Sequence, residues 1–372
     1  MRKLEIQREQ ALQARQEFKL IMRLEQAGLL EMPEEEFNRL TTEVESSPLF
    51  RKLYRKDGII HYQRYPKTDF SPRFYQLNEE IAAGTDTLDI DSLLSSKGDV
   101  IRLIKKIGLD NFKRYFLYPE PRVSIEEVAQ ECDLELAEVE RIDSLINEFS
   151  IMSEFYNPSV LSSEHGIHYS KVASIERGAE GFIISYLSPP YARGRYSIDY
   201  ARFEELRQSG AITKAEVKEI RQLFKKLELI NRRKDTVTRI LQGIVEKQAP
   251  YFESGNGKSV LPFSQKELAE RIGLAPSSIS RAISGKSLEM PWGEEKALKD
   301  FFPRPRKFRK ELVRQLLETG EEFPSDEAIK AELEQKFGVS ISRRLVASLR
   351  KELKIPAAWK RERQPSKKAK GG

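Results

Sequence analysis

Residues 264–286 carry a spacing that few local structures can satisfy: a small residue at Ala269, a glycine at Gly273 and a β-branched residue at Ile279. Ser264 stands at an N-cap position, and Glu267, Leu268, Ala269 and Glu270 continue a first helix. Ile272, Gly273 and Leu274 make the turn, and Pro276 opens a second helix where its missing N–H is not needed. Two helices cross this closely only if the crossing residue is small, the turn residue accepts positive φ and a branched side chain fills the core. Leu268, Leu274 and Ile283 supply the other apolar positions. Ser277, Ser278, Ser280 and Arg281 remain on the outer face, with Lys286 just past the helix end. This is helix-turn-helix spacing, whose second helix suits a DNA groove; a helical hairpin without DNA contact would share the same core.

Residues 340–356 form a second basic element. A serine pair offers an N-cap, and Pro356 stops any helix at or before Ile355. At 100° per residue, Leu345, Val346, Leu349 and Leu353 share one face. Arg343, Arg344, Arg350, Lys351 and Lys354 share the other, around the small Ala347. Such a face can approach a nucleic-acid groove, with guanidinium forks placed for guanine edges or phosphates; it also fits an ordinary solvated helix face.

Charge distribution bears on that choice. The net charge is +6, yet from Arg304 onward there are 19 Lys/Arg against 10 Asp/Glu, so this last fifth carries +9 and the remainder −3. A basic end on a near-neutral body points to a polyanion partner met mainly at that end. The 372 residues allow two to four domains, and 33% charged residues of both signs fit a soluble, helix-rich chain. No apolar run nears the roughly 20 residues of a membrane span, and the N-terminus lacks a signal-peptide core, so the expected location is the cytoplasm, without membrane association. One cysteine, Cys132, excludes an internal disulfide and a cysteine-rich zinc site.

Elsewhere helical spacing dominates. Residues 1–55 carry five glutamines in the first 26 and the apolar set Phe18, Ile21, Met22, Leu24, Leu29, Leu30, Phe37, Leu40 and Val44, interrupted by Gly28 and Pro33. This is too little for an independent core, so the arm is expected to pack on a partner. Residues 56–95 read as a linker. Their Tyr62, Tyr65, Phe70, Phe74 and Tyr75 lie among Arg64, Lys67 and Arg73, a pattern that serves either base stacking or docking on a neighbouring domain. Residues 96–250 are helical, with a capping-box spacing from Ser124 to Glu127 and a long run over 214–248. The polar face of that run, Arg221, Lys225, Lys226, Arg232, Arg233 and Lys234, reads as solvated. A hairpin is expected over 167–187, where Val172, Ile175, Phe182, Ile184 and Tyr186 alternate around Gly178 and Gly181.

Other motifs fail. Residues 254–259 approach a phosphate loop, but Phe252 occupies the place of its first glycine and no strand precedes it. His165 and His168 lack further ligands for a metal, and no catalytic constellation is present. The chain is expected to be neither an enzyme nor a cofactor or metal protein.

The stretch 267–286, with Met290-Pro291-Trp292-Gly293, Leu298-Lys299-Asp300-Phe301-Phe302 and the approach through Val245 to Phe252, resembles the helix-turn-helix of bacterial sigma-54 (sigma-N) factors. The basic helix resembles a degenerate copy of that family's ten-residue box, ARRTVAKYRE. Arg343, Arg344, Val346, Ala347 and Arg350 match, whereas Ser342, Leu345, Ser348, Leu349 and Lys351 depart. The arm ending Pro48-Leu49-Phe50 is similar to the family's activator-responsive region, and 124–147 to the start of its polymerase-binding domain.

The resemblance implies a mainly α, elongated multidomain chain with two helix-turn-helix DNA-binding modules and one small β-hairpin segment. It implies an activator-responsive arm (1–55), a linker (56–95), a core RNA polymerase-binding domain (96–250), a helix-turn-helix domain (251–303), a box domain (304–362) and a disordered basic tail (363–372). Its partners would be core RNA polymerase, promoter double-stranded DNA and an ATP-hydrolysing AAA+ type activator. The box would read an upstream GG-type element through Arg343, Arg344 and Arg350, aided by Ala347, Lys351 and Lys354. The upstream module would meet a downstream GC-type element through Ser277, Ser278, Ser280, Arg281 and Lys286. Phe18, Ile21, Met22, Leu24, Leu29, Leu30, Pro48 and Leu49 would meet activator or polymerase. The changed box points to a divergent member. The other reading is a DNA-binding regulator or a replication or partition protein of this architecture that does not bind polymerase.

Overall fold

The computed structural model describes residues 27–71, 98–118, 123–156, 159–161, 168–303, 305–318, 325–337 and 339–356. The chain divides into two compact units, the first ending at Phe301 and the second beginning at Phe302, with Pro262–Ser264 belonging to the second.

In the first unit, α1 (Glu34–Ser46) places Glu34, Glu35 and Glu36 in its first turn, where the helix dipole favours negative charge, and buries Phe37, Thr41 and Val44. Ser47 caps α2 (Pro48–Arg51) by accepting from the Phe50 N–H. Strands β1 (Ile60–Gln63) and β2 (Thr68–Phe70) follow. Next come α3 (Gly98–Phe112), α4 (Ile125–Glu131) and α5 (Leu136–Tyr156), which packs on α1 and α3. Both halves of the Ser124–Glu127 capping box form at the start of α4. The hairpin β3 (Ser170–Gly178) and β4 (Gly181–Tyr186) is followed by α6 (Pro189–Ala192), β5 (Arg195–Ile198) and α7 (Tyr200–Gln208). A second capping box, Thr213 with Glu216, starts the 34-residue α8 (Lys214–Lys247), about 50 Å long at 1.5 Å per residue. Then come α9 (Ala249–Ser254), α10 (Gln265–Ile272), α11 (Pro276–Ile283), β6 (Lys286–Glu289) and β7 (Glu295–Ala297).

The fold is mainly α, and the hairpin lies where alternation locates it. The β structure is nevertheless larger than one hairpin. β3 and β4 are the centre of a five-stranded sheet ordered β2-β4-β3-β6-β7, while β1 pairs with β5 separately. β2 and β6 run parallel to their neighbours β4 and β3. The added strands have three or four residues each, too short for alternation to register. Two of them fall in the stretch read as linker. Tyr62 and Phe70 are buried there, and the Tyr65 hydroxyl donates to Asp235 at 2.6 Å, so residues 59–70 dock into the core. Phe74 and Tyr75 lie outside the described residues.

The polar face of α8 is also not wholly solvated. Arg221, Lys225, Lys226 and Arg232 are exposed, but Arg233 and Lys234 are buried. Arg233 donates to the carbonyls of Leu29 and Met32, to Glu34 at 2.7 Å and to the Tyr191 hydroxyl, and lies over the Phe37 ring. One guanidinium thus satisfies the backbone and first carboxylate of the arm, which is why the segment entering α1 packs here despite few apolar residues. Lys234 donates to the Gly194 carbonyl at 3.0 Å and faces the Tyr196 ring; burial lowers its pKa to about 7.

The second unit contains α12 (Pro305–Glu318), α13 (Asp326–Phe337) and α14 (Arg343–Glu352). Its core is Leu312, Val313, Leu316, Ile329, Leu333, Ile341, Val346 and Leu349.

Candidate nucleic-acid interface

The upstream module is built as its spacing requires. Ala269 and Ile279 are buried where α10 crosses α11, Leu268 and Ile283 close the core, and Gly273 takes φ 65° in the turn. Pro276 occupies the first turn of α11, and Ala275 supplies no side-chain cap. Pro276 brings no N–H and the Ser278 N–H returns to the Ala275 carbonyl at 2.9 Å, so little of this helix end is left open. Ser277 and Ser280 are exposed, while Ser278 and Arg281 are half-buried. α8 carries this module: Lys247 pairs with Glu267 at 3.0 Å, and Arg239 donates to the Ile272 carbonyl.

Two features of this surface differ from expectation. Lys286 does not project from the helix end; it is the first residue of β6, buried, with Nζ 3.5 Å from the Glu34 carboxylate. Burial lowers its pKa to about 8. The strand enters the sheet directly after Gly285, so the side chain is drawn inward. Arg281 is outward but engaged, its Nε donating to Glu31 at 2.8 Å. Glu31 has no signal in the sequence, because its partner lies 250 residues away.

In the second unit, Ser342 caps α14 by accepting from the Leu345 N–H at 3.2 Å. Arg343 and Arg344 follow at once and are exposed, as are Lys351 and Lys354; Ala347 is half-buried. Two cations in a first helical turn oppose the helix dipole, costing a few tenths of a kcal/mol or more each, so stability does not explain them. They leave two guanidinium forks free for base edges or phosphates.

Arg350 is withdrawn from this face. It is buried, its Nε 2.8 Å and Nη2 3.3 Å from the Asp326 carboxylate, and its Nη1 donates to the Ile355 carbonyl at 2.8 Å. The side chain turns along the helix toward α13 because Asp326, the first residue of that helix, lies within reach. Helical angle alone cannot reveal this. Ser348 is half-buried and accepts from Arg306, which also pairs with Glu352.

Of the positions assigned to the arm, Leu29 and Leu30 are buried within the first unit, Leu49 is half-buried and Pro48 is exposed. The two leucines are therefore core residues rather than contact residues in this conformation. Phe18, Ile21, Met22 and Leu24 lie outside the described residues.

Residues 211–363, from the turn before α8 through the second unit, match the family described as "Sigma-54, DNA binding domain". This segment is similar to a sigma-54 DNA-binding domain. The chain is similar to the RNA polymerase sigma-54 factor of Bacillus subtilis (strain 168), with 29% identity over 146 residues, 36% of this chain and 33% of the relative. It is similar to the corresponding factor of Xanthomonas euvesicatoria, with 30% identity over 161 residues, 40% of this chain and 33% of the relative. The matches thus span about a third of the length of these relatives. Among solved structures it is similar to Aquifex aeolicus sigmaN bound to promoter DNA, at 20% identity and a TM-score of 0.37, over 77% of this chain and 99% of that chain.

Within the segment that matches the sigma-54 DNA-binding domain, the departures from the ten-residue box separate by burial. Leu349 is in the core and affects packing; Lys351 is exposed and changes the charge presented to a ligand.

Proposed function

We propose that this chain is a sigma-54-like transcription initiation factor that binds core RNA polymerase and directs it to promoters with an upstream GG-type and a downstream GC-type element. The observation that carries this reading is the pair of exposed arginines, Arg343 and Arg344, at the opening of a capped helix in a sigma-54 DNA-binding domain. The box domain (304–362) reads the upstream element and the helix-turn-helix domain (251–303) the downstream one. Residues 96–250 bind polymerase, and the arm holds the complex closed until an ATP-dependent AAA+ type activator remodels it. The Glu31–Arg281 pair supports a restraining arm, since it occupies a cation of α11. The chain works in the cytoplasm, on nucleoid DNA, and is not itself an enzyme.

Co-purification of the full chain with core polymerase, followed by footprinting of the complex on genomic promoters, tests the proposal. Protection of two short elements is expected. A chain that protects DNA alone but never associates with core polymerase is instead a DNA-binding regulator.

A further inference from the structure

The amino-terminal third of α8 carries a charged surface that neither module uses. Lys214, Lys218, Arg221 and Lys225 are exposed and line a groove of about 400 Å³ with Val217 and Gln222. At 100° per residue the four cations fall within about 60° of arc, as one stripe about 16 Å long. Lys214, Lys218 and Lys225 have no carboxylate within ion-pair distance among the described residues, and Arg221 feels Glu204 of α7 only through space. Glu219 is exposed but lies about 100° around the helix from Lys218, and three other nearby carboxylates are already engaged. Glu216 pairs with Lys52 at 2.8 Å and closes the helix cap, Glu204 holds Arg207, and Glu228 accepts from the Tyr200 hydroxyl at 3.0 Å. Four like charges aligned on one face repel one another, and no ion pair of theirs among the described residues offsets that cost.

We infer that this stripe is a sequence-independent docking surface for the phosphate backbone of double-stranded DNA. The phosphates of one strand advance about 3.4 Å each along a duplex, so a stripe of about 16 Å spans roughly five of them. The partner is DNA rather than an acidic protein because α8 is also the support of the upstream module. Gly243 of α8 has no Cβ where Leu268 of α10 approaches, and the Lys247–Glu267 pair ties the same two helices. The stripe and α11 therefore belong to one compact unit, and the stripe lies inside the segment matched as a DNA-binding domain. Ammonium groups on flexible stems grip phosphates as point charges and carry no sequence information, unlike the forks of Arg343 and Arg344. The inference rests on the proposal that the chain binds promoter DNA.

The test uses the full chain and two duplexes of equal length, one carrying the GG and GC elements and one scrambled, over a salt series. Replacing Lys218, Arg221 and Lys225 by alanine together should weaken binding to both duplexes alike. The loss should be roughly tenfold or more near 0.1 M salt, and the slope of log K against log salt should fall by about two to three. The charge-conserving set K218R/R221K/K225R should bind like the unaltered chain, which separates charge from folding. Unchanged affinity and slope in the alanine variant would overturn the inference and leave a solvated face. So would unchanged DNA binding with loss of polymerase association, which would assign the stripe to an acidic protein surface. If the unaltered chain fails to bind either duplex, the proposed function fails instead; if it binds and only Arg344→Ala loses preference for the GG and GC duplex, that function stands independently of the stripe.

Discussion

Replacing Arg350 with alanine removes two hydrogen bonds to Asp326 and one to the Ile355 carbonyl, all charge-assisted on the arginine side. Breaking a buried ion pair by deleting one partner costs about 3–5 kcal/mol, chiefly because the other charge is stranded. Asp326 retains 18% side-chain exposure and begins α13, where the helix dipole favours an anion. The cost therefore falls near the low end, about 3 kcal/mol. A small three-helix core with eight buried apolar residues supplies a net stability of only about 3–5 kcal/mol, so the loss brings the second unit close to its unfolding midpoint. Hydrogen exchange across 305–356 in the full chain, read beside a urea titration, measures this directly. Arg350→Ala should accelerate exchange throughout the unit, Asp326→Ala should do much the same, and the paired change D326L/R350M should recover most of the loss. Arg344→Ala should leave exchange unchanged, shift stability by less than about 0.5 kcal/mol and lower discrimination for the GG element by about 1–3 kcal/mol. If Arg350→Ala instead leaves exchange unaltered and loses specificity as Arg344→Ala does, Arg350 reads a base in the complex and its assignment to the core is refuted.

Glu31→Gln should free Arg281 from a partly exposed pair worth about 0.2–1 kcal/mol, tightening duplex binding about two- to fivefold at low salt and lowering the melting temperature by no more than about 4 °C; a weaker complex would show that Glu31 positions Arg281 rather than occupying it. Lys354 holds φ 58° directly after α14, with the Ile355 and Lys354 N–H groups returning to Arg350 and Lys351 in the pattern that usually carries glycine. Lys354→Gly should stabilise the second unit by about 1 kcal/mol, seen as slower exchange over 305–356, while removing one exposed charge beside the basic helix. Lys234, facing Glu45, Arg193 and Asp235, has a folded pKa of about 7, below its unfolded value of 10.5. The unfolded chain then binds the extra proton between these limits, so stability of the first unit should rise with pH across that window by at most about 1.4 kcal/mol per unit. Lys286, lowered to about 8, adds to the rise from pH 8 upward. Urea midpoints at pH 7, 8 and 9 should show this rise, and Lys234→Met should flatten it; a slope unchanged in that variant would show that Lys234 stays charged when buried.

Local chemistry alone determined the helix-turn-helix of the first unit, the capped basic helix of the second, the Ser124–Glu127 box and the central hairpin. Each depends on contacts a few residues apart: a glycine at positive φ, a small residue at a crossing, an oxygen over an open N–H, an alternation long enough to count. The exposure of Arg343 and Arg344 is likewise written in the helical angle. Tertiary structure decided which of the remaining cations are free. Arg350, Lys286, Arg233 and Lys234 look like their exposed neighbours in the sequence, yet each is buried beside a carboxylate or carbonyl contributed from 5 to more than 200 residues away. A long cationic side chain lies in water or turns inward according to whether an acceptor stands within its reach, and periodicity carries no record of where a distant acceptor will lie. The same limit applies to β1, β2, β6 and β7, which are strands because β5, β4, β3 and β6 respectively offer edges to pair with, not because their own few residues demand it.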